Sequence, residues 1–358
     1  MNKITEKTAL VIHPILDIYQ SNLQYLKPGK KYKDELLIKL IEWSPPIRFK
    51  TYENLTFDGE TFFDANLYFV MFLPEMRDVN ISQAVDKVEH ALKYAKEDGC
   101  TVAAMAGFNS IVIQGKEEEL AEKHGMRITS GNAFTAATVI SSIENLAKRC
   151  NIDLSTKTIS IIGASGDIGS GCFLYFADQA RKLILTARGL APLKDLVNKY
   201  GGMFDCEIEV TGDNKYAAKR ADIAIIVTSS PVPLFEQSDF ASGAIVCDAS
   251  APANVKVNGS LREDIFLYHG GIAQLPFDLE LGMYIGLPGT NAMFGCQVEG
   301  LLNTVHPDLP LSYGRGNIST MRINKFKKFF KKYECLKIVY SIGDKLYSES
   351  ELDAAVRR

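Results

Sequence analysis

The 358-residue chain has no uninterrupted apolar run near the ~18 residues that a membrane-spanning helix needs. Its start, MNKITEKTALVIHP, has neither the apolar core nor the small-residue cleavage site of a secretory signal, so a cytoplasmic location is expected. Metal and disulfide spacing is missing too. The seven cysteines are scattered, without C-x-x-C pairs or Cys/His ligand patterns, which fits a reducing compartment and predicts no metal. Excess positive charge is absent: the formal net charge is -3, so nucleic acid is not an expected partner. Repeats and low-complexity linkers are lacking as well. What is present is a globular composition, 46% hydrophobic, in a chain long enough for two or three domains.

The most informative stretch is Thr158 to Arg188, TISIIGASGDIGSGCFLYFADQARKLILTAR. It reads as strand, glycine-rich turn, helix and second strand, the opening of a Rossmann-type unit. Gly163 permits the tight turn, Gly166 lets the backbone approach a pyrophosphate, and Gly169 lets helix and strand pack closely. Ser165, Gly166, Asp167 and Ile168 form the loop and helix start, whose N–H groups and dipole face the phosphates. The second strand lacks the Asp or Glu that usually grips a ribose 2′-hydroxyl. It ends instead in Thr186-Ala187-Arg188, where a guanidinium and a hydroxyl suit a 2′-phosphate. NADPH is therefore the expected cofactor. A later strand, Ile223 to Thr228, ends in small polar residues, which brings Thr228 and Ser229 to the carboxyl edge where ligands bind.

Three zones follow. Residues 1–150 mix short strands (Ala9 to Ile12, Leu67 to Phe72, Thr101 to Ala106) with amphipathic helices (Ser82 to Asp98, Ala133 to Cys150), as in an α/β substrate domain. Residues 151–271 form the dinucleotide domain, and 272–358 are expected to be mainly helical. Within this last zone, NAMFGCQVEGLLNTV (Asn291 to Val305) carries apolar residues at helical spacing, with Asn291 as the expected N-cap. Cys296 would lie in the opening turns, where the dipole lowers a thiol pKa and favours the thiolate. The same spacing also fits a buried core thiol. An activated cysteine beside a nicotinamide cofactor suits one chemistry: acyl transfer from a thioester to sulfur, then hydride reduction to an aldehyde.

Several segments resemble the long-chain acyl-[acyl-carrier-protein] reductases of cyanobacteria. They are FLPEM (Phe72 to Met76), AGFNSIV (Ala106 to Val112), TSGNAFTA (Thr129 to Ala136), NIDLSTKTISIIGASGDIGSGC (Asn151 to Cys172), CDASAPANV (Cys247 to Val255), HGGI (His269 to Ile272), MFGC (Met293 to Cys296) and SYGRGNIS (Ser312 to Ser319). They keep the family's order over roughly residues 40 to 330. The resemblance implies that Cys296 is the acyl-accepting nucleophile and that the donor is an acyl carrier protein or acyl-CoA. It also implies a fatty aldehyde product, which a second enzyme would consume. Phe134 stands where the family has a histidine, and the first 40 residues match poorly.

Other candidates are weighed beside these. Ser110, Asn109 and Asn132 sit in glycine-flanked turns that line a pocket or simply hold the turn; Ser110 is the candidate oxyanion donor. His269, beside Gly270 and Gly271, is a candidate proton donor to the developing alkoxide, with a structural role as the alternative. Glu75 reads as a helix cap, Glu299 as a positioning carboxylate, and Cys172 and Cys247 as packing. The segment NKFKKFFKK (Asn324 to Lys332) presents lysines that would steer an acidic carrier protein, rest peripherally on a membrane, or remain solvated. The leading function is an NADPH-dependent acyl-thioester reductase. A shikimate-type dehydrogenase, a glutamyl-tRNA-reductase-like enzyme and a non-catalytic NADP-binding sensor remain as alternatives.

Overall fold

The computed structural model describes residues 2–14, 34–73, 81–281, 285–313 and 318–355. It divides into two units. The first comprises Met1–Gly131, Gln274–Gly314 and Tyr333–Lys337; the second comprises Asn132–Ala273, Arg315–Lys332 and Ile338–Arg358.

The first unit is built on a five-stranded sheet of β1 (Asn2–Ile12), β2 (Ile47–Leu55), β3 (Thr61–Phe69), β4 (Val102–Met105) and β5 (Arg127–Thr129), ordered β2-β3-β1-β4-β5. All neighbours run parallel except β2 against β3. Helix α1 (Asp34–Trp43) precedes β2. Alternation sorts the central strands between two layers. Ala9, Val11, Ala103 and Met105 pack with Val88, Ala91, Leu92 and Ala95 of α2 (Ile81–Glu97) in one core cluster. Ala104 and Thr8 face the other way. There the Thr8 hydroxyl lies 2.6 Å from that of Thr304, and a Cβ on Gly300 would fall 2.4 Å from the Ala104 Cβ. Short helices α3 (Phe108–Val112) and α4 (Glu117–His124) follow β4.

The second unit opens with α5 (Asn132–Arg149) and carries an eight-stranded sheet. Its strands are β6 (Thr158–Ile162), β7 (Lys182–Thr186), β8 (Glu207–Thr211), β9 (Ile223–Ile226), β10 (Ile245–Asp248), β11 (Phe266–His269), β12 (Ser341–Ile342) and β13 (Lys345–Leu346). The order β8-β7-β6-β9-β10-β11 is parallel throughout, with β12 and β13 added antiparallel beyond β11. This is the Rossmann order, whose reversal point lies between β6 and β9. Helices α6 (Asp167–Phe176), α7 (Leu190–Tyr200) and α8 (Asn214–Lys219) serve its crossovers.

The chain is thus α/β with a Rossmann-type domain, but two segments fall differently from the zones read in the sequence. Helix α5 belongs with the second unit and is buried nearly all round: Phe134 is fully buried between Phe326 and Phe330 (centroids 5.9 and 5.3 Å), and the Ser142 hydroxyl lies 2.7 Å from that of Tyr268. Residues 272–358 are shared between the units and include strands as well as helices. Three of those helices are α9 (Gly295–Val305), α10 (Thr320–Lys327) and α11 (Phe329–Lys332).

Candidate functional site

The glycine loop of the second unit has the form its sequence demands. Gly163 leaves β6 at φ +93°, and a Cβ there would stand 2.6 Å from the Val227 carbonyl oxygen. A Cβ on Gly169 would meet the Gly163 carbonyl oxygen at 2.3 Å. Both positions therefore exclude side chains, and the loop ends seat directly on β9 and on the helix. Gly166 caps α6 from an extended conformation, and Ser165 and Gly166 are exposed at the tip. Asp167 and Ile168 begin the helix half-buried, and Asp167 accepts a hydrogen bond from Asn132 Nδ2 at 3.2 Å.

Where β9 ends, Thr228 donates to Asn254 Oδ1 at 3.0 Å and accepts from the Ser230 N–H, while Ser229 is half-buried beside it. Arg188 is exposed just past β7, and among the described residues it makes no ion pair. Thr186 departs from expectation: it is fully buried, and its hydroxyl donates to Asn214 Oδ1 at 2.6 Å, so it braces α8. The cradle closed to side chains fits the pyrophosphate of a dinucleotide.

A second constellation lies in the first unit, at the carboxyl edge of its sheet. Helix α9 starts at Gly295, one residue before Cys296. The N-cap is Phe294, not Asn291, because Ala292–Phe294 forms a short strand running into the helix. At the end of β5, Gly131 (φ +69°) presses on the backbone of Cys296: a Cβ there would lie 2.1 Å from Cys296 Cα. At the end of β4, the Gly107 N–H faces the Cys296 sulfur, as do the N–H groups of Gln297 and of Cys296 itself. These donors favour the thiolate, and Glu299 opposes it. Burial outweighs both and pushes the thiol up to about 11, so the depressed pKa expected from the helix dipole is not found. Glu299 is fully buried, with Oε1 accepting from the Thr129 hydroxyl at 2.5 Å and the Ser312 N–H at 3.2 Å. That grip ties α9 to the end of β5.

Ser110 shares this neighbourhood, and its hydroxyl donates to the Gly107 carbonyl at 2.8 Å. Asn109 is buried, with Nδ2 donating to the Val11 carbonyl at 3.1 Å. His13, at the end of β1, accepts the Phe108 N–H on Nε2 at 3.0 Å; it was not singled out in the sequence, although the rule that placed ligands at strand ends points to it. His269 belongs to the second unit, at the end of β11 beside Asp248, whose carboxylate takes the N–H groups of Ser250, Asn254 and Val255. Burial lowers the His269 pKa against the pull of Asp248. Cys172 and Cys247 are buried with their thiols raised, which suits packing. Glu75 lies outside the described residues.

A family model described as shikimate / quinate 5-dehydrogenase matches residues 145–269, inside the second unit. The long-chain acyl-[acyl-carrier-protein] reductase of Synechococcus elongatus is 28% identical over 246 residues, covering 64% of this chain and 70% of that protein. Aminotransferase PigE of a Serratia species is 22% identical over 239 residues, 65% of this chain but 28% of that protein. Among solved structures, the nucleotide-binding domain of Thermoplasma volcanium glutamyl-tRNA reductase is 20% identical, with a TM-score of 0.28, covering 37% of this chain and 84% of that domain. With the Rossmann architecture, the dehydrogenase and reductase likenesses mark the chain as an NAD(P)-dependent oxidoreductase.

Proposed function

We propose that the protein reduces an acyl thioester to an aldehyde through an acyl group carried on Cys296, with NADPH as reductant. The observation that carries this reading is Cys296 at the second position of α9, with three backbone N–H groups aimed at its sulfur and a glycine pressed against its backbone. The sulfur attacks the thioester carbonyl and the donor thiol leaves with the proton, so the acyl group passes to Cys296. Near neutrality only about one thiol in ten thousand is ionised, but the more basic thiolate is the stronger nucleophile. The N–H groups of Gly107, Gln297 and Cys296 supply donors where negative charge collects. Bound NADPH would supply the hydride; release of the aldehyde leaves Cys296 as the thiolate, which takes a proton from solvent to return to the thiol.

Arg188, exposed and unpaired, supports the phosphorylated cofactor. Lys325, Lys328, Lys331 and Lys332 on α10, α11 and the turn joining them are exposed and support an acidic carrier protein as donor. The test is intact mass after incubation with an acyl thioester and no NADPH. The expected result is one acyl increment, mapped to Cys296 and absent from Cys296→Ser, which also makes no aldehyde. Aldehyde formation at the parental rate by Cys296→Ser would sink the covalent route.

A further inference from the structure

His13 takes its place from β1, whose last residue, Ile12, it follows directly. Both ring nitrogens are committed. Nδ1 lies 3.0 Å from the Pro14 carbonyl oxygen, and Nε2 accepts the Phe108 N–H at 3.0 Å. Because a carbonyl can only accept, Nδ1 carries the proton and Nε2 presents its lone pair. The ring is wedged between Phe72 and Phe108, with centroids at 5.7 and 5.8 Å. The ring also crowds a residue without a side chain: a Cβ on Gly107 would lie 2.6 Å from His13 Nε2 and 3.3 Å from Cδ2. Gly107 adopts φ 59° and ψ -131°, a conformation open essentially to glycine alone. The imidazole thus occupies the volume a side chain would take and holds the next peptide by its N–H.

We propose that His13 is a positioning residue for Cys296: its imidazole fixes the Gly107–Phe108 turn so that the Gly107 N–H stays aimed at the sulfur. Ser110 Oγ on the Gly107 carbonyl and Asn109 Nδ2 on the Val11 carbonyl brace the same turn, and His13 adds a side-chain brace reaching to it from the end of β1. The ring is not a general base here, since its one lone pair is already used. Burial keeps it neutral, with its pKa lowered to about 4, so the brace holds across the physiological range. The charged group facing the sulfur is Glu299, on α9 itself, and it works against the thiolate. The inference rests on the proposed role of Cys296 for its consequence in turnover, but not for its geometry.

Two measurements test it. In parent protein labelled with nitrogen-15, the His13 ring should show the Nδ1–H form with an unprotonated Nε2 down to mildly acidic pH; an Nε2–H ring, or titration near the ordinary histidine value, overturns the proposal. Alkylation of Cys296 by iodoacetamide, read on its own peptide by mass at a fixed alkaline pH, should slow roughly tenfold in His13→Leu, as loss of one hydrogen bond to the charged form raises the thiol by about one unit. His13→Gln, whose amide carries both an acceptor and a donor, should recover most of that rate. A folded His13→Leu that alkylates like the parent overturns it, and so does a His13→Gln that alkylates no faster than His13→Leu. If alkylation responds as expected but Cys296 takes no acyl group from any thioester, the thioester reading fails while the positioning role stands.

Discussion

The imidazole of His13 and the thiol of Cys296 are both neutral because burial penalises their charged forms, and each leaves a different trace. Below pH 6.5 an unfolded imidazole takes up a proton that the folded ring refuses until about pH 4. Stability is therefore full above 6.5 and is lost as pH falls toward 4, a loss approaching roughly 3 kcal/mol for this one group. In urea denaturation across that range the parent should lose up to roughly 3 kcal/mol more stability toward the acid end than His13→Gln, whose amide does not titrate, and parallel curves would remove the effect. At this scale the sequence told only part of the story. Cys296 could be singled out from periodicity and motif, whereas its raised pKa depends on burial and on Gly107, 189 positions away in the chain. Thr186 reads as a ligand hydroxyl in sequence because nothing there reveals Asn214.

Helix α9 depends on absent side chains. Gly300→Ala would drive a methyl group into the Ala104 Cβ, and overpacking of this kind costs on the order of 1–3 kcal/mol. Adding Ala104→Gly removes the opposing atom, and the next contacts are 3.4 Å or longer, so the double variant should recover part of the loss in thermal melts. Simple additivity of the two substitutions would mean that helix and strand do not meet there. On α10 and α11, Ile323 and Phe326 are buried and Lys327 bonds Glu144 at 2.6 Å, which leaves Lys328, Lys331 and Lys332 outward. Changing those three to Glu should slow turnover of an acyl carrier protein at low salt and flatten its salt dependence, with acyl-CoA turnover much less affected. Equal carrier-protein kinetics in parent and variant would leave this face as solvated surface. Elements with a clear period, such as α2 and α5, were legible within a residue or two. The N-cap of α9 was not, because Asn291 has the better capping side chain while strand pairing of Ala292–Phe294 decides where the helix begins.

Across the molecule, the two halves of the proposed chemistry sit on separate sheets: the thiol with the first unit, the glycine cradle and Arg188 with the second. Arg188→Ala should weaken NADPH binding roughly ten- to a hundredfold, the size of one lost charged hydrogen bond, and leave NADH binding unchanged. Acylation of Cys296 without cofactor should be untouched. Titrations that weaken both cofactors alike would show that Arg188 does not read the phosphate. The Rossmann half was legible because its signal is local, a run of thirty-one residues from Thr158 to Arg188. The thiol half was hidden because its parts come from the ends of β1, β4 and β5 and from α9, and only the fold gathers them.

The high pKa of Cys296 also bears on how the protein survives air. Peroxide attacks thiolates, and a partly exposed cysteine of low pKa is the usual entry to sulfenic acid and mixed disulfides. A sulfur that titrates at about 11 rests almost wholly as S–H. On the proposed role of Cys296, the protonation that makes the sulfur wait for a substrate should also slow its oxidation, so resting inertness would double as protection against oxidative damage.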